Sequence, residues 1–353
     1  MPIPESLKDA LRAGRCVPFV GAGVSMAVQS LVTNRPLFPS WRGLITKCAE
    51  RLGKENKKDE AKLLHAILSV NGPDYFYAAK KAKEYLGAVW FRVLASELDP
   101  PYSNVNLDSL ELARAVWQLG SKLVITTNFD RTLQWAAPAP SDLQTWEIEA
   151  KAPMTGILDS VNRFTAWHLH GHIQNPTDLV LTPDGYDILY GSINAESRYQ
   201  AAIQSFRQLL TSRTLLFVGF SGDDAHVSAQ LRRVNEIFAG SNGPHYILVK
   251  SGANSHLNAS GIPLEQVEFS DYGTPLLDLI RELGIHSADG APPRTDPNSQ
   301  SSKSAVLKPE LAEVPATQTT QETSVRRSIG DLTAVHDPES VTNHPSDRFQ
   351  VAV

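Results

Sequence analysis

Short apolar runs alternate with longer amphipathic stretches from the N-terminus to about residue 286. Most of these runs are continuous Val, Ile, Leu and Phe without polar alternation, which is typical of strands buried on both faces of a parallel sheet. The predicted strands are 16–20, 122–128, 164–171, 178–182, 214–220, 245–250 and 267–269. Because helical stretches separate most of them, the pattern predicts an α/β fold with a Rossmann-like parallel sheet flanked by helices.

The helical stretches are unevenly distributed along the chain. They are predicted at 5–13, from Trp41 onward, through much of 58–120, and at 195–210, 225–238 and 275–283. The block from about 41 to 120 lies between the first two predicted strands and is much longer than an ordinary crossover between neighbouring strands. We expect it to form a small helical insertion module within a domain that covers residues 1–286.

The composition changes beyond that domain. Residues 287–353 are rich in Ser, Thr, Pro and Gln, and Phe349 is their single aromatic residue. Such a segment buries too little apolar surface to offset the conformational entropy lost on ordering. We therefore expect a disordered C-terminal tail with no folded sensor domain in it.

The amino-acid composition argues against several classes of function for this chain of 353 residues. The formal net charge of −5 argues against nucleic-acid binding through overall charge, and no apolar run approaches the roughly 18 residues of a membrane span. Only two cysteines occur, Cys16 and Cys48, which excludes a disulfide scaffold and a cysteine-based zinc module. We expect a cytoplasmic protein that binds neither membrane nor nucleic acid directly.

Polar or small residues follow four of the predicted strands. The clusters are Gly21-Ala22-Gly23-Val24-Ser25, Thr127-Asn128-Phe129-Asp130, His168-Leu169-His170-Gly171-His172 and Gly219-Phe220-Ser221-Gly222-Asp223-Asp224. Ligands of open parallel sheets bind outside the carboxyl ends of the strands. The agreement of four such ends predicts a ligand site at this edge of the sheet.

Each cluster also has a purely structural interpretation. The glycines can form a tight turn, although they also allow amide groups to approach an anion such as a pyrophosphate. Asp130 can cap a helix, an interpretation that leaves Asn128 unexplained. The three histidines are expected on one face of a strand, where they are either hydrogen-bonded core residues, a catalytic base or metal ligands. A metal hydrolase would need a carboxylate such as Asp178 or Asp184.

In this order, the clusters resemble those of the sirtuin-like superfamily, and more closely its bacterial NAD-hydrolysing branch, which serves antiphage defence. The similarity covers about residues 15–280. It implies that the four strand ends form the NAD+ pocket of a Rossmann-like domain, with NAD+ as substrate.

The resemblance also implies roles for individual residues. The NAD+-binding residues would be Gly21, Ala22, Gly23, Ser25, Gly219 and Ser221, together with Thr127, which stands where the family usually has Gln. Asn128 would hold the nicotinamide ribose and the attacking water, His170 would act as general base, and Asp130 would keep their geometry. His168 and His172 would support them.

Departures from the family pattern separate the alternatives. The four zinc cysteines of the deacylases are absent, so no zinc is expected, and residues 179–190 resemble the NAD-hydrolase branch rather than a peptide-clamping loop. We therefore expect an NAD+ glycohydrolase that releases nicotinamide and ADP-ribose, in abortive infection by NAD+ depletion. The alternatives are a protein deacylase or ADP-ribosyltransferase and an NAD/ADP-ribose sensor without turnover.

The resemblance further implies that activity is controlled, because an unregulated NAD+ hydrolase would kill its host. We expect a homo-oligomer or a regulatory partner protein, such as a ring-shaped ATPase or an Argonaute-type protein.

Overall fold

Seven strands in the described part of the chain form one sheet in which every neighbouring pair is parallel. They are β1 (Cys16–Val20), β2 (Leu123–Thr126), β3 (Gln144–Trp146), β4 (Thr165–His168), β5 (Thr214–Val218), β6 (His245–Lys250) and β7 (Leu264–Phe269). Their order is β3-β4-β2-β1-β5-β6-β7. The predicted α/β fold is thus confirmed.

The computed structural model describes residues 3–148, 163–191, 199–220, 225–237, 243–252 and 264–289. The chain divides into two units, Met1–Pro293 and Arg294–Val353. The second unit and the predicted tail beyond residue 289 lie outside the described residues, as does the predicted helical segment 195–198. In the part described, no helix is long and apolar enough to cross a membrane.

Helices cover both faces of the sheet and the block between its first two strands. They are α1 (Glu5–Arg12), α2 (Ala22–Met26), α3 (Trp41–Lys54), α4 (Lys58–Ser69), α5 (Tyr75–Leu86), α6 (Val89–Leu98), α7 (Glu111–Trp117), α8 (Thr132–Ala136), α9 (Pro183–Tyr190), α10 (Gln200–Ser212), α11 (Ala225–Ile237) and α12 (Thr274–Asp289). Helices α3 to α6 share a core that includes Cys48, Leu64 and Leu94, and Ile173 and Leu181 also pack into it. This core confirms the predicted helical insertion.

Strand β1 shows why the sheet is buried on both faces. All five of its residues are buried, and alternate side chains face opposite layers. Val20 packs in the core that contains α1, α7 and α12, whereas Phe19 packs in the core that contains α9, α10 and α11. A continuous apolar run is what such a position requires.

The structure differs from the sequence prediction at several elements. Residues 178–182 are not a strand: Val180 and Leu181 bury their side chains in two cores, and the Val180 amide donates to the His170 carbonyl instead of pairing in the sheet. Strand β3 was missed because its three residues are only partly buried and lack an apolar pattern. Helix α12 continues past the predicted end at 283, through to Asp289.

The central strands β1 and β5 leave the sheet through turns that touch backbone to backbone. The Gly23 amide donates to the Gly219 carbonyl at 2.8 Å, and Gly219 has φ +64°. A Cβ atom on Gly21 would lie 2.5 Å from the Gly219 carbonyl oxygen, and one on Gly219 would lie 2.7 Å from the Val24 amide nitrogen. Only glycine allows this approach, so the two turns are locked together.

Replacing Gly21 by Ala should lower the free energy of unfolding by about 1–3 kcal/mol, the usual effect of overpacking against atoms that cannot move aside. The matched control is Gly53→Ala in α3, where a Cβ would meet nothing within 4 Å. Removing a helical glycine should raise stability by about 0.5–1 kcal/mol. Urea unfolding measures whether each substitution raises or lowers the free energy of unfolding. A change in the same direction in both variants would contradict the steric role of the backbone contact.

Candidate active site

One register row crosses the four strands that carry the predicted site. Val218 of β5 pairs with Val20 of β1, Val20 with Thr126 of β2, and Thr126 with His168 of β4. The turns that follow this row all leave the same edge of the sheet. The strand order also reverses between β1 and β5, the position where open α/β sheets bind ligands.

The first glycine turn is held by the protein itself. The Gly21 amide donates to the Val218 carbonyl at 2.9 Å, and the Gly23 amide is engaged by Gly219. The structure therefore uses these two glycines to bring the turns together, and both amides are already bonded within the protein. Ala22 is exposed at the start of the short helix α2, while Ser25 is buried.

Asn128 ties the end of β2 to this turn. Its side-chain Nδ2 donates to the Gly21 carbonyl and to Ser25 Oγ, both at 2.9 Å. Because a carbonyl can only accept, this contact fixes which way the amide points and turns Oδ1 away from Gly21. Oδ1 has no hydrogen-bond donor among the described residues, and the side chain is 9% exposed.

Asp130 lies two residues before helix α8. Its Oδ1 accepts the amide of Thr132, the first residue of the helix, at 2.9 Å. The N-cap position itself is Arg131, so the predicted capping role of Asp130 is wrong, and its bond orders the turn that leads into the helix. The charge of Asp130 also raises the pKa of the nearby His168. Thr127 is half-buried, and its amide donates to the Val20 carbonyl at 3.3 Å.

The three histidines do not share one face, contrary to the expectation from strand alternation. Strand β4 ends at His168, where the Gly171 amide donates to the His168 carbonyl at 3.0 Å and Gly171 takes φ +92°. Alternation stops at such a turn, so the side chains separate into two groups. His168 and His172 lie together, with ring centroids 4.5 Å apart, and His170 contacts a different set of side chains.

His168 and His172 are buried and uncharged at neutral pH. Burial lowers the pKa of His168 to about 4, against the raising effects of its hydrogen bond to the Asn128 carbonyl and of Asp130. Burial also lowers the pKa of His172 to about 3, and so do the charge that His168 acquires on protonation and the charge of Arg131. Neither ring has a pKa near 7, so neither is suited to exchange protons at that pH.

His170 lies against aromatic side chains that the sequence reasoning missed. Its Nε2 is 2.7 Å from the Tyr190 hydroxyl, and its ring centroid is 5.1 Å from that of Tyr186. The two tyrosines stand one turn apart on α9, and both contact the ring of His226 on α11, at 4.6 and 5.2 Å. The spacing Tyr-x-x-x-Tyr on a helix was the available signal.

Not every predicted site residue can be placed. Gly219 is described, whereas Ser221 and the neighbouring Asp223 and Asp224 lie outside the described residues. Asp178 and Asp184 are exposed, and Asp184 forms an ion pair with Lys80 at 3.6 Å. Across the described ranges, no group of three His, Cys, Asp or Glu side chains is arranged to hold a metal ion.

Comparisons with known proteins find similarity in this part of the chain. Residues 122–271 match the SIR2-like domain family, a range that includes Asn128, His170 and Gly219. The chain is 24% identical over 251 residues to a protein named NAD(+) hydrolase ThsA from Bacillus cereus (strain MSX-D12), covering 70% of this chain and 45% of that protein. A protein of the same name from Cytobacillus dafuensis is 23% identical over 256 residues, covering 72% and 45% respectively. The chain thus spans less than half the length of the curated relatives it matches.

The buried histidines predict a loss of stability in mild acid. His245, on β6, also has its pKa lowered to about 4 by burial, from an ordinary value of 6.5. Because the unfolded chain takes up these protons first, stability is complete above about pH 6.5 and falls as the pH approaches 4. Each buried histidine contributes up to about 1.4 kcal/mol per pH unit.

Urea unfolding of wild type and His245→Asn between pH 8 and 4.5 measures this dependence. Subtracting the two curves removes the contribution of the carboxylates. The free energy of unfolding of the variant should fall less steeply below pH 6.5, since the variant has one fewer group to protonate on unfolding. Parallel curves would mean that His245 is not held uncharged by burial.

Proposed function

We propose that this chain, which matches the SIR2-like domain family over residues 122–271, is an NAD+ glycohydrolase, which cleaves the bond between nicotinamide and C1′ of its ribose. The products are nicotinamide and ADP-ribose. The resemblance to the antiphage branch of the family supports a role in defence by NAD+ depletion, in the cytoplasm and under the control of self-assembly or a partner protein. The names of the two relatives support the substrate.

The observation that supports the proposal is the contact of Gly21, Ser25, Asn128 and Gly219 at one edge of the sheet, with His170 following the neighbouring strand β4. The first three are joined by hydrogen bonds, and Gly219 is locked against the first turn. Asn128 and His170 each follow the paired residues Thr126 and His168 by two positions. A dinucleotide bound across the β1/β5 crevice would place its nicotinamide end toward β2 and β4.

In the proposed reaction, the bond from C1′ to the nicotinamide nitrogen breaks and its electron pair leaves with neutral nicotinamide. The oxygen of a water molecule bonds to C1′, and the water proton passes to His170 and then to solvent. The transition state resembles an oxocarbenium ion, as in glycoside hydrolysis. The protein therefore has to orient the ribose and the water rather than activate the leaving group.

Asn128, His170 and Asp130 have different roles in this reaction. Asn128 Oδ1 faces away from its own protein contacts and can accept a hydrogen bond from a ribose hydroxyl or from the water. His170 is the one member of the histidine group that lies apart from the uncharged pair, and Tyr190 orients its ring. Asp130 acts at a distance, through the turn before α8 that its bond to the Thr132 amide orders.

A binding protein without turnover is the second candidate. The observation that favours it is that Asn128 and Asp130 both serve the fold, so their presence alone does not require catalysis. The two candidates share the pocket and differ in whether NAD+ is consumed.

Purified protein should release nicotinamide from NAD+ without any acylated peptide, an outcome that also separates it from a deacylase. His170→Ala should lower turnover by about 10²–10⁴, the usual effect of removing a general base. The matched control is His65→Ala, since His65 is an exposed histidine on α4 and should leave turnover unchanged. Nicotinamide release is followed by chromatography.

Asn128→Asp tests the second residue with little change of shape. It removes the donors to Gly21 and Ser25 and places a negative charge at the turn, so turnover should fall at least as far as in His170→Ala. Circular dichroism and calorimetric NAD+ binding accompany each variant. Binding without turnover in the wild type would favour the sensor, and the absence of both would overturn the assignment of the site.

A further inference from the structure

Gln134 lies between the two uncharged histidines. From helix α8, its side-chain Nε2 is 2.9 Å from His168 Nε2 and 3.1 Å from His172 Nε2. Its Oε1 is buried and has no hydrogen-bond partner among the described residues. His168 and His172 are 0% and 1% exposed, so these contacts are shielded from water.

The partners of this amide determine where the histidine protons lie. His168 Nδ1 is 2.7 Å from the Asn128 carbonyl oxygen, which can only accept, so Nδ1 must carry a hydrogen. Because His168 is uncharged at neutral pH, its Nε2 then bears a lone pair. Nε2 therefore needs a donor, and the NH2 group of Gln134 supplies one.

The second hydrogen of the same NH2 group has Thr145 Oγ1 within reach, 3.4 Å from Gln134 Nε2. His172 Nε2 also lies near this group, while the Gln174 amide donates to His172 Nδ1 at 3.4 Å. Turning the amide over would bring Oε1 against the lone pair of His168. One orientation of Gln134 is thus compatible with an uncharged His168.

The consequence reaches the candidate site through Asn128. The His168 Nδ1–H group holds the Asn128 carbonyl, while Thr126 Oγ1 accepts the Asn128 amide at 3.0 Å. Both backbone polar groups of Asn128 are therefore bonded. Its side chain is then directed toward Gly21 and Ser25, with Oδ1 on the opposite side.

We propose that Gln134 is a positioning residue for Asn128, acting through His168: its NH2 group donates to His168 Nε2 and thereby selects the Nδ1–H tautomer that donates to the Asn128 carbonyl. This role deepens the proposed function, and its kinetic consequence rests on that function. The tautomer itself does not. An apolar side chain of similar length would avoid burying an unpaired carbonyl, but it would offer His168 no donor.

Two substitutions at Gln134 separate the proposal from simple packing. Gln134→Met keeps the length and removes both donors. The Asn128 carbonyl alone then favours Nδ1–H, so the tautomer preference of His168 should weaken. Gln134→Glu offers only acceptors when ionised. Because the Asn128 carbonyl still needs Nδ1–H, His168 should then carry protons on both nitrogens and become an imidazolium.

The matched control is Gln208→Met in α10. Gln208 also has a buried Oε1 without a partner in the described part of the chain, and it makes no hydrogen bond to a described histidine. Its replacement should affect stability in the same manner without touching the histidine pair.

The measurement is 15N NMR of histidine-labelled full-length protein at neutral pH, with His168 assigned from the spectrum of His168→Gln. The wild type and Gln208→Met should show His168 protonated at Nδ1 alone. Gln134→Met should show mixed tautomers, and Gln134→Glu an imidazolium. With NAD+ as substrate, kcat of Gln134→Met should fall about tenfold or more while KM changes less than about threefold.

The NMR and kinetic results test the His168 tautomer, the positioning of Asn128 and the proposed function separately. A wild-type His168 protonated at Nε2, or an unchanged His168 signal in both Gln134 variants, would overturn the proposal. An altered tautomer with unchanged kcat would overturn the positioning of Asn128 for the reaction. If the wild type does not consume NAD+, the proposed function fails, whereas the spectra still decide whether Gln134 selects the tautomer.

Discussion

The backbone contact between the turns after β1 and β5 is the constraint from which the candidate site follows. Gly21 and Gly219 approach so closely that neither has room for a Cβ atom. This contact closes the strand-order reversal of the sheet into a defined crevice. It also leaves the Gly21 carbonyl at a fixed place, where it can accept the Asn128 side chain from the neighbouring strand.

From Gly21, a chain of hydrogen bonds runs outward across three strands. It passes through the side chain and then the carbonyl of Asn128, the ring of His168, and the amide of Gln134. Buried bonds of this kind are strong in a low-dielectric interior, and any polar group left unpaired there is costly. Each member therefore determines the orientation of the next, and the Asn128 side chain has one direction available.

The three histidines at this edge of the sheet have two different environments. His168 and His172 lie within the buried network and stay uncharged, because burial opposes their protonation. His170 stands beyond the turn at Gly171, against the tyrosines of α9. Three residues that are neighbours in sequence thus divide into a structural pair and a single candidate for proton transfer.

The sequence by itself determined the parallel sheet, the helical insertion and the edge at which the polar clusters meet. These features follow from local patterns, since a continuous apolar run has to be buried on both faces and its polar end has to emerge at the carboxyl edge. The tertiary structure alone decided the rest. Gln134 carries no local signal of its role, and the Tyr-x-x-x-Tyr spacing that includes Tyr190 does not show which residue it contacts, because each acts on a histidine at least 20 positions away. The strand prediction for residues 178–182 was wrong for a related reason. Apolar side chains have to be buried, but only the packing of the whole domain decides whether they are buried within a sheet or outside it.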